Sequence, residues 1–163
     1  MEKILFIFVV SLFIQGCTSV SSTNVQRVEI DNKRTYKKEF DNVWASVIQW
    51  GAMNDIPFDK IEKDSGLIST GDFGLSDFSV LNCGEATGNQ GFYTAKFESV
   101  TGRVSVVVRE IKSDETQVIV NVFGRAYIAV KNIVGATLRD NIVECASTGR
   151  LEAHLFSDIN TLG

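Results

Sequence analysis

The chain has 163 residues, 16 basic and 20 acidic side chains, a net charge of −4 and 44% apolar residues. That length suffices for one domain with an adequate core. The mildly acidic balance lacks the basic patch that binding to nucleic acid or anionic headgroups requires, so no nucleic-acid partner is expected and any contact with a membrane should come from an attached lipid.

At the N-terminus Lys3 precedes an apolar run from Ile4 to Ile14, broken only by Ser11, and Gly16 stands beside Cys17. That is the layout of a secretory signal. A spanning helix needs about 20 apolar residues, and this run gives way to Gln15 and the polar string Thr18 to Asn24. The order Ile14-Gln15-Gly16-Cys17 resembles the bacterial lipobox. The resemblance implies cleavage before Cys17, which then carries a diacylglycerol thioether and, in many bacteria, a third, amide-linked chain. The alternative is a conventional secretory peptide cut nearby, leaving a free thiol. Two or three acyl chains make a lasting anchor where one holds only marginally. Thr18, in place of Asp, implies by analogy with enteric bacteria an outer-membrane destination. Loss of residues 1–16 removes Glu2 and Lys3 together, so the remaining 147 residues keep a charge of −4.

Residues 17–33 read as a lipidated flexible tether, since they are rich in Ser, Thr and Asn and have no sustained periodicity. Arg27, Lys33, Arg34, Lys37 and Lys38 give the early mature region a local positive excess, offset in part by Glu29, Asp31 and Glu39. Exposed charge is screened within about 10 Å, so this reads as a solvated stretch, with headgroup contact as the alternative. Two further cysteines remain, Cys83 and Cys145, in a compartment that oxidises thiols. A Cys83–Cys145 disulfide is the simplest pairing; two separately buried thiols are the alternative. A metal site is not expected, because the single histidine and two distant cysteines lack ligand spacing.

Residues 34–163 are expected to form a single α+β domain. After a possible short strand in "RTYKKEF", Val43, Val47, Trp50 and Met53 recur at helical spacing beside Trp44 and Ile48, with Asp41 placed to cap the first turn. Gly51 inside this helix permits close packing on a sheet, and Pro57, the one proline, marks its end. "PFDKIEK" and "LISTGDF" flank the turn "DSG" as a β-hairpin. Residues 74–91 read as an ordered loop pinned by Cys83. "GRVSVVVREIK" and "TQVIVNVFGRAYIAV" alternate across "SDE" as a longer hairpin, with Val104, Val106 and Val108 on one face and Val118, Val120, Val122 and Gly124 on its partner. Thr148 is placed to cap a last helix bearing Leu151, Leu155, Ile159 and Leu162. The expected architecture is therefore a two-layer α+β domain, an antiparallel sheet of four to five strands packed against two helices.

The stretch "FDNVWASVIQWGAMNDIPFDKIEKDSGLIST" resembles the helix-grip domains of BamC-type lipoproteins, accessory subunits of the outer-membrane β-barrel assembly machine. The pairing of "NCG" with "CASTGRLE" resembles uncharacterised proteobacterial outer-membrane lipoproteins of similar size. The chain differs from the BamC pattern in having one grip domain, a short tether and an added cysteine pair. The resemblance implies a scaffold with a protein partner and no reaction centre.

The residues themselves point away from catalysis. His154, the lone histidine, lies on the terminal helix and reads as a surface residue, with a catalytic base as the alternative. Glu62 with Asp64, and Asp114 with Glu115, fall at turns, where solvation explains them better than acid–base work. The glycine-rich stretches lack the Lys-Ser/Thr of a phosphate loop, and no cofactor is expected. Trp44 and Trp50 read as core, with an aromatic-lined binding groove as the alternative. The expected function is a non-enzymatic outer-membrane lipoprotein, facing the periplasm or alternatively the cell surface, that serves as a protein-binding or assembly accessory. The alternative is a periplasmic module for a small apolar or lipid ligand.

Overall fold

Alternation over Val104, Val106 and Val108 and over Val118 and Val120 buries every one of these side chains, and the strands that carry them run far beyond those residues. A computed structural model describes residues 19–75, 78–88 and 93–162. In chain order it contains β1 (Ser21–Thr23), β2 (Lys33–Tyr36), α1 (Phe40–Met53), β3 (Phe58–Glu62), β4 (Leu67–Thr70), β5 (Phe73–Gly74) and a short turn of 3-10 helix (Phe78–Val80). There follow β6 (Leu81–Asn82), β7 (Glu85–Thr87), β8 (Thr94–Lys112), β9 (Glu115–Lys131), β10 (Thr137–Ser147) and α2 (Arg150–Leu162). Cys17 and the expected signal lie outside the described residues.

Eight strands form one antiparallel sheet, ordered β3-β4-β8-β9-β10-β6, with β2 added beside β9 and β5 beside β8. β1 and β7 form a separate two-stranded ribbon. With 52% of the structure in strands and 21% in helices, the domain is mainly β, which overturns the expected two-layer α+β domain of four to five strands. The physical reasons lie in β8 and β10. An irregularity between Phe97 and Ser99 shifts the phase of β8, so buried Ala95 and Val100 are five residues apart and the first half of the strand loses its period of two. In β10 the residues Thr137–Asn141 are all exposed, Ile142 is 65% exposed and burial begins only toward Ser147. A strand with little buried surface carries little hydrophobic alternation.

One face of the β8–β9 ladder is covered along its length by two different sets of elements. Over Val104, Val106, Val108, Val118 and Val120 lie α1, through Val43, Val47 and Trp50, and α2, through Leu155, Phe156 and Ile159. Gly51 of α1 meets β3 so closely that a Cβ there would overlap the Phe58 ring. Over the other half, Val20 packs on Ala95, Ile128 and Val130, and Leu81 packs on Val100 and Ala126. The stretch read as a flexible tether is therefore partly built into the domain: Val20 is 5% exposed, its carbonyl accepts from Asn141 Nδ2 at 2.8 Å, and β1 pairs with β7.

The helix termini differ in detail from expectation. Glu39, not Asp41, is the N-cap of α1 and makes no side-chain capping bond; Asp41 lies one residue into the helix and pairs with Lys63 at 3.0 Å. Ahead of α2, Ser147 Oγ accepts from the Gly149 N–H at 3.1 Å and donates to Glu152 Oε1 at 2.8 Å, whereas Thr148 turns away and donates to the Ser79 carbonyl.

Candidate functional site

β9 carries two different partners on the edge away from β8. Its first residues, Thr116 to Ile119, pair with β2, and Gly124 to Lys131 pair with β10. Between these registers Asn121, Val122 and Phe123 have no strand partner on that edge among the described residues. The direction of their backbone groups follows from their neighbours. The Val104 N–H donates to Thr70 Oγ1, away from β9, and the Val120 N–H donates to the Asn32 carbonyl on the open side. Val122 faces Val104 across the ladder, so antiparallel alternation aims its N–H and C=O into the same opening.

The opening is a cleft of about 560 Å³. Its floor is the Val120–Arg125 stretch of β9, one wall is the chain around Arg27, Val28, Ile30 and Asn32, and the other is the end of β10 from Glu144 to Ser147. The rim is mixed in charge and partly apolar. Arg125 lies 3.7 Å from Asp72, the Arg103 guanidinium lies over the Phe123 ring at 5.2 Å from its centroid, and Phe123 itself is 49% exposed. Asn32 Nδ2 donates to Asn121 Oδ1 at 3.0 Å, tying the wall to the floor.

Glu152 also lines this cleft and is 1% exposed. It stands in the first turn of α2, where the unpaired N–H groups carry partial positive charge. Ser147 satisfies Oε1. Oε2 has no hydrogen-bond partner among the described residues, a costly condition for a buried acceptor.

Of the described site residues singled out from the sequence, Cys145 lines the cleft wall and the others fall elsewhere. Cys83 and Cys145 are joined as a disulfide with Cα atoms 4.2 Å apart, which ties the β6–β7 connection to β10 beside the cleft wall. Trp50 is fully buried and Trp44 is 8% exposed; Trp44 stacks on Phe40 at a centroid separation of 5.7 Å. Both belong to the helix-covered core. Sequence reading missed the cleft because its floor residues have the ordinary alternation of a strand, and its position is set by where β2 begins and β10 ends. His154 Nδ1 accepts the buried indole N–H of Trp50 at 3.1 Å, a structural task that places it on the far side of α2 from Glu152. Among the described residues no cluster of His, Cys, Asp and Glu could hold a metal ion.

Two tyrosines have perturbed acidity. Burial pushes the Tyr36 hydroxyl up to about 12, opposed in part by nearby Arg34, and that hydroxyl donates to the Phe156 carbonyl at 3.0 Å. The hydrogen bond from Tyr127 to Asp140 raises the Tyr127 hydroxyl above its ordinary value. Neither lines the cleft.

No protein-family model matches the chain, and no curated protein matches it.

Proposed function

We propose that this chain is a non-enzymatic lipoprotein of the bacterial outer membrane, anchored through Cys17, whose domain holds an extended segment of an envelope protein in the cleft along β9. The observation that carries the reading is the open edge at Val122. A strand edge that offers an N–H and a C=O between two existing partners is a template for strand addition, in which main-chain bonds give affinity and neighbouring side chains give selectivity. Phe123 and Arg103 supply an amphipathic rim. Glu152 Oε2 supplies an unpaired acceptor at depth, and Arg27, Arg103 and Arg125 line the opening together with Asp72, Glu144 and Glu152, which suits a segment carrying both signs of charge. The anchor confines the domain to a layer near its partners and so raises their effective concentration.

A second reading, a module for a small apolar or lipid ligand, is favoured by a groove of about 410 Å³ beside the disulfide, lined by Leu81, Phe97 and Val100. The two readings separate in one experiment. A photo-crosslinking residue at Phe123 is expected to join an envelope protein in intact cells, with loss of the adduct when Glu152→Gln is added. An adduct formed equally well with Glu152→Gln, or crosslinking to lipid from a residue placed at Phe97 with none to protein from Phe123, would reject the cleft as the binding site.

A further inference from the structure

The β9–β10 connection exposes more apolar surface than a solvated hairpin needs. Ile133 and Val134 are 84% and 80% exposed, Leu138 follows at 48%, and Tyr93, one residue before the strand that pairs with Lys131, is 42% exposed. The turn that presents them is firmly built. Asn132 Oδ1 accepts from the N–H groups of Val134 and Ala136 at 3.1 and 2.9 Å. The Asn132 N–H donates to the Ala136 carbonyl, and the Gly135 N–H to the Asn132 carbonyl. Contiguous exposed apolar surface of this kind marks a contact with another phase or molecule.

The course of the N-terminal chain identifies the occupant. Val20 packs on Val130 and Ile128, near the end of β9, and from there β1 runs back toward the middle of the sheet, since Thr23 pairs with Glu85 close to Cys83. Followed in reverse, the chain therefore heads toward the hairpin tip. Three residue steps separate Val20 from Cys17, a reach of at most about 10 Å. Three steps also separate Val130 from Ile133, about 10 Å along a strand. Cys17 can thus be no farther from Val20 than the apolar tip is from Val130, the residue on which Val20 packs.

The geometry points to the β9–β10 tip as a second membrane contact, with Ile133 and Val134 entering the interfacial layer of the bilayer that holds the acyl chains of Cys17. The inference rests on the lipid-anchor reading of Cys17, and it assigns to the folded surface a contact that composition alone ascribes to the lipid. Tyr93 at the same level suits the headgroup region, where an aromatic ring with a polar edge is favoured. Because Val20 is docked, the anchor is short and the domain is held end-on to the membrane.

The test uses the full acylated protein reconstituted in phosphatidylethanolamine and phosphatidylglycerol vesicles, with Val134→Trp as the probe and Ser113→Trp, at the opposite end of the ladder, as its counterpart. The signal of buried Trp44 and Trp50 is subtracted using the unsubstituted protein. Emission from Val134→Trp is expected to shift to the blue and to be quenched by brominated acyl chains, while Ser113→Trp keeps the emission of a water-exposed indole. Equal behaviour of the two probes in acylated protein overturns this inference alone. A blue-shifted Val134→Trp that brominated lipid fails to quench assigns the tip to a second copy of the chain and also overturns it. Intact mass measurement showing Cys17 without acyl chains overturns the anchor reading and this inference together.

Discussion

Removing the Cys83–Cys145 bond by the paired substitution Cys83→Ala and Cys145→Ala is expected to cost a substantial share of the stability of the domain. The two residues are 62 apart in sequence. Closing a loop of that length lowers denatured-state entropy by an amount equivalent to about 4 kcal/mol at room temperature. The native contacts around the bond do little to replace it, since β6 meets β10 through only two register pairs, Ala146 with Asn82 and Ser147 with Leu81. For a domain of this size each kcal/mol corresponds to about 2–4 °C in Tm, so the variant should melt about 8–16 °C below the oxidised protein. Thermal unfolding followed by circular dichroism, with and without reductant, measures the effect. Reductant should lower the Tm of the wild type to that of the variant and leave the variant unchanged. A variant that melts within about 3 °C of the oxidised wild type, less than about 2 kcal/mol by the same conversion, would refute the loop-entropy reasoning.

Three further outcomes follow from individual contacts. His154→Ala leaves the buried Trp50 indole N–H without its acceptor and should destabilise by about 1–3 kcal/mol in urea unfolding, whereas His154→Gln, which retains an acceptor, should recover part of the loss. Gly66→Ala should cost at least about 1–3 kcal/mol from backbone strain alone, because Gly66 has a φ of +68° and an added Cβ would overlap the Val108 carbonyl; denaturant midpoints check this. Tyr36 keeps its proton more tightly when folded, so its contribution is complete below the ordinary value of 10.0 and is lost as pH rises toward about 12. Stability should therefore fall more steeply across that interval in wild type than in Tyr36→Phe, as pH-dependent denaturation would reveal.

What could be read from the sequence was set by how much apolar surface each element buries. α1 showed itself because Val43, Val47 and Trp50 each bury fully on one side. The second half of β8 and the first half of β9 did so for the same reason, their inward valines alternating with polar or half-buried neighbours. β10 escaped because it is mostly exposed, and the ribbon of β1 with β7 because three-residue strands hold no pattern. Cap positions failed because Asp41, and Ser147 and Thr148 before the last helix, all have suitable side chains, and their respective contacts with Lys63, Glu152 and Ser79 decide what each does. The Cys83–Cys145 pairing was legible from the cysteine count. The cleft was not, since it is a gap between β2 and β10 and no residue type signals a missing neighbour. Glu152 is equally silent in the sequence: an acid in the first turn of a helix is ordinary, and only the fold reveals that one of its oxygens is buried without a partner.

The β8–β9 ladder also has a length that matters. β9 alone has 17 residues, about 55 Å when extended, and Val122 stands eleven residues back from Ile133, about 35 Å along the strand. Were the tip at the lipid as inferred above, the ladder would act as a mast that lifts the cleft clear of the headgroups by roughly the thickness of the hydrocarbon core, about 30 Å. Its catch would then be polypeptide already released into the aqueous compartment, out of range of segments still lying flat on the leaflet.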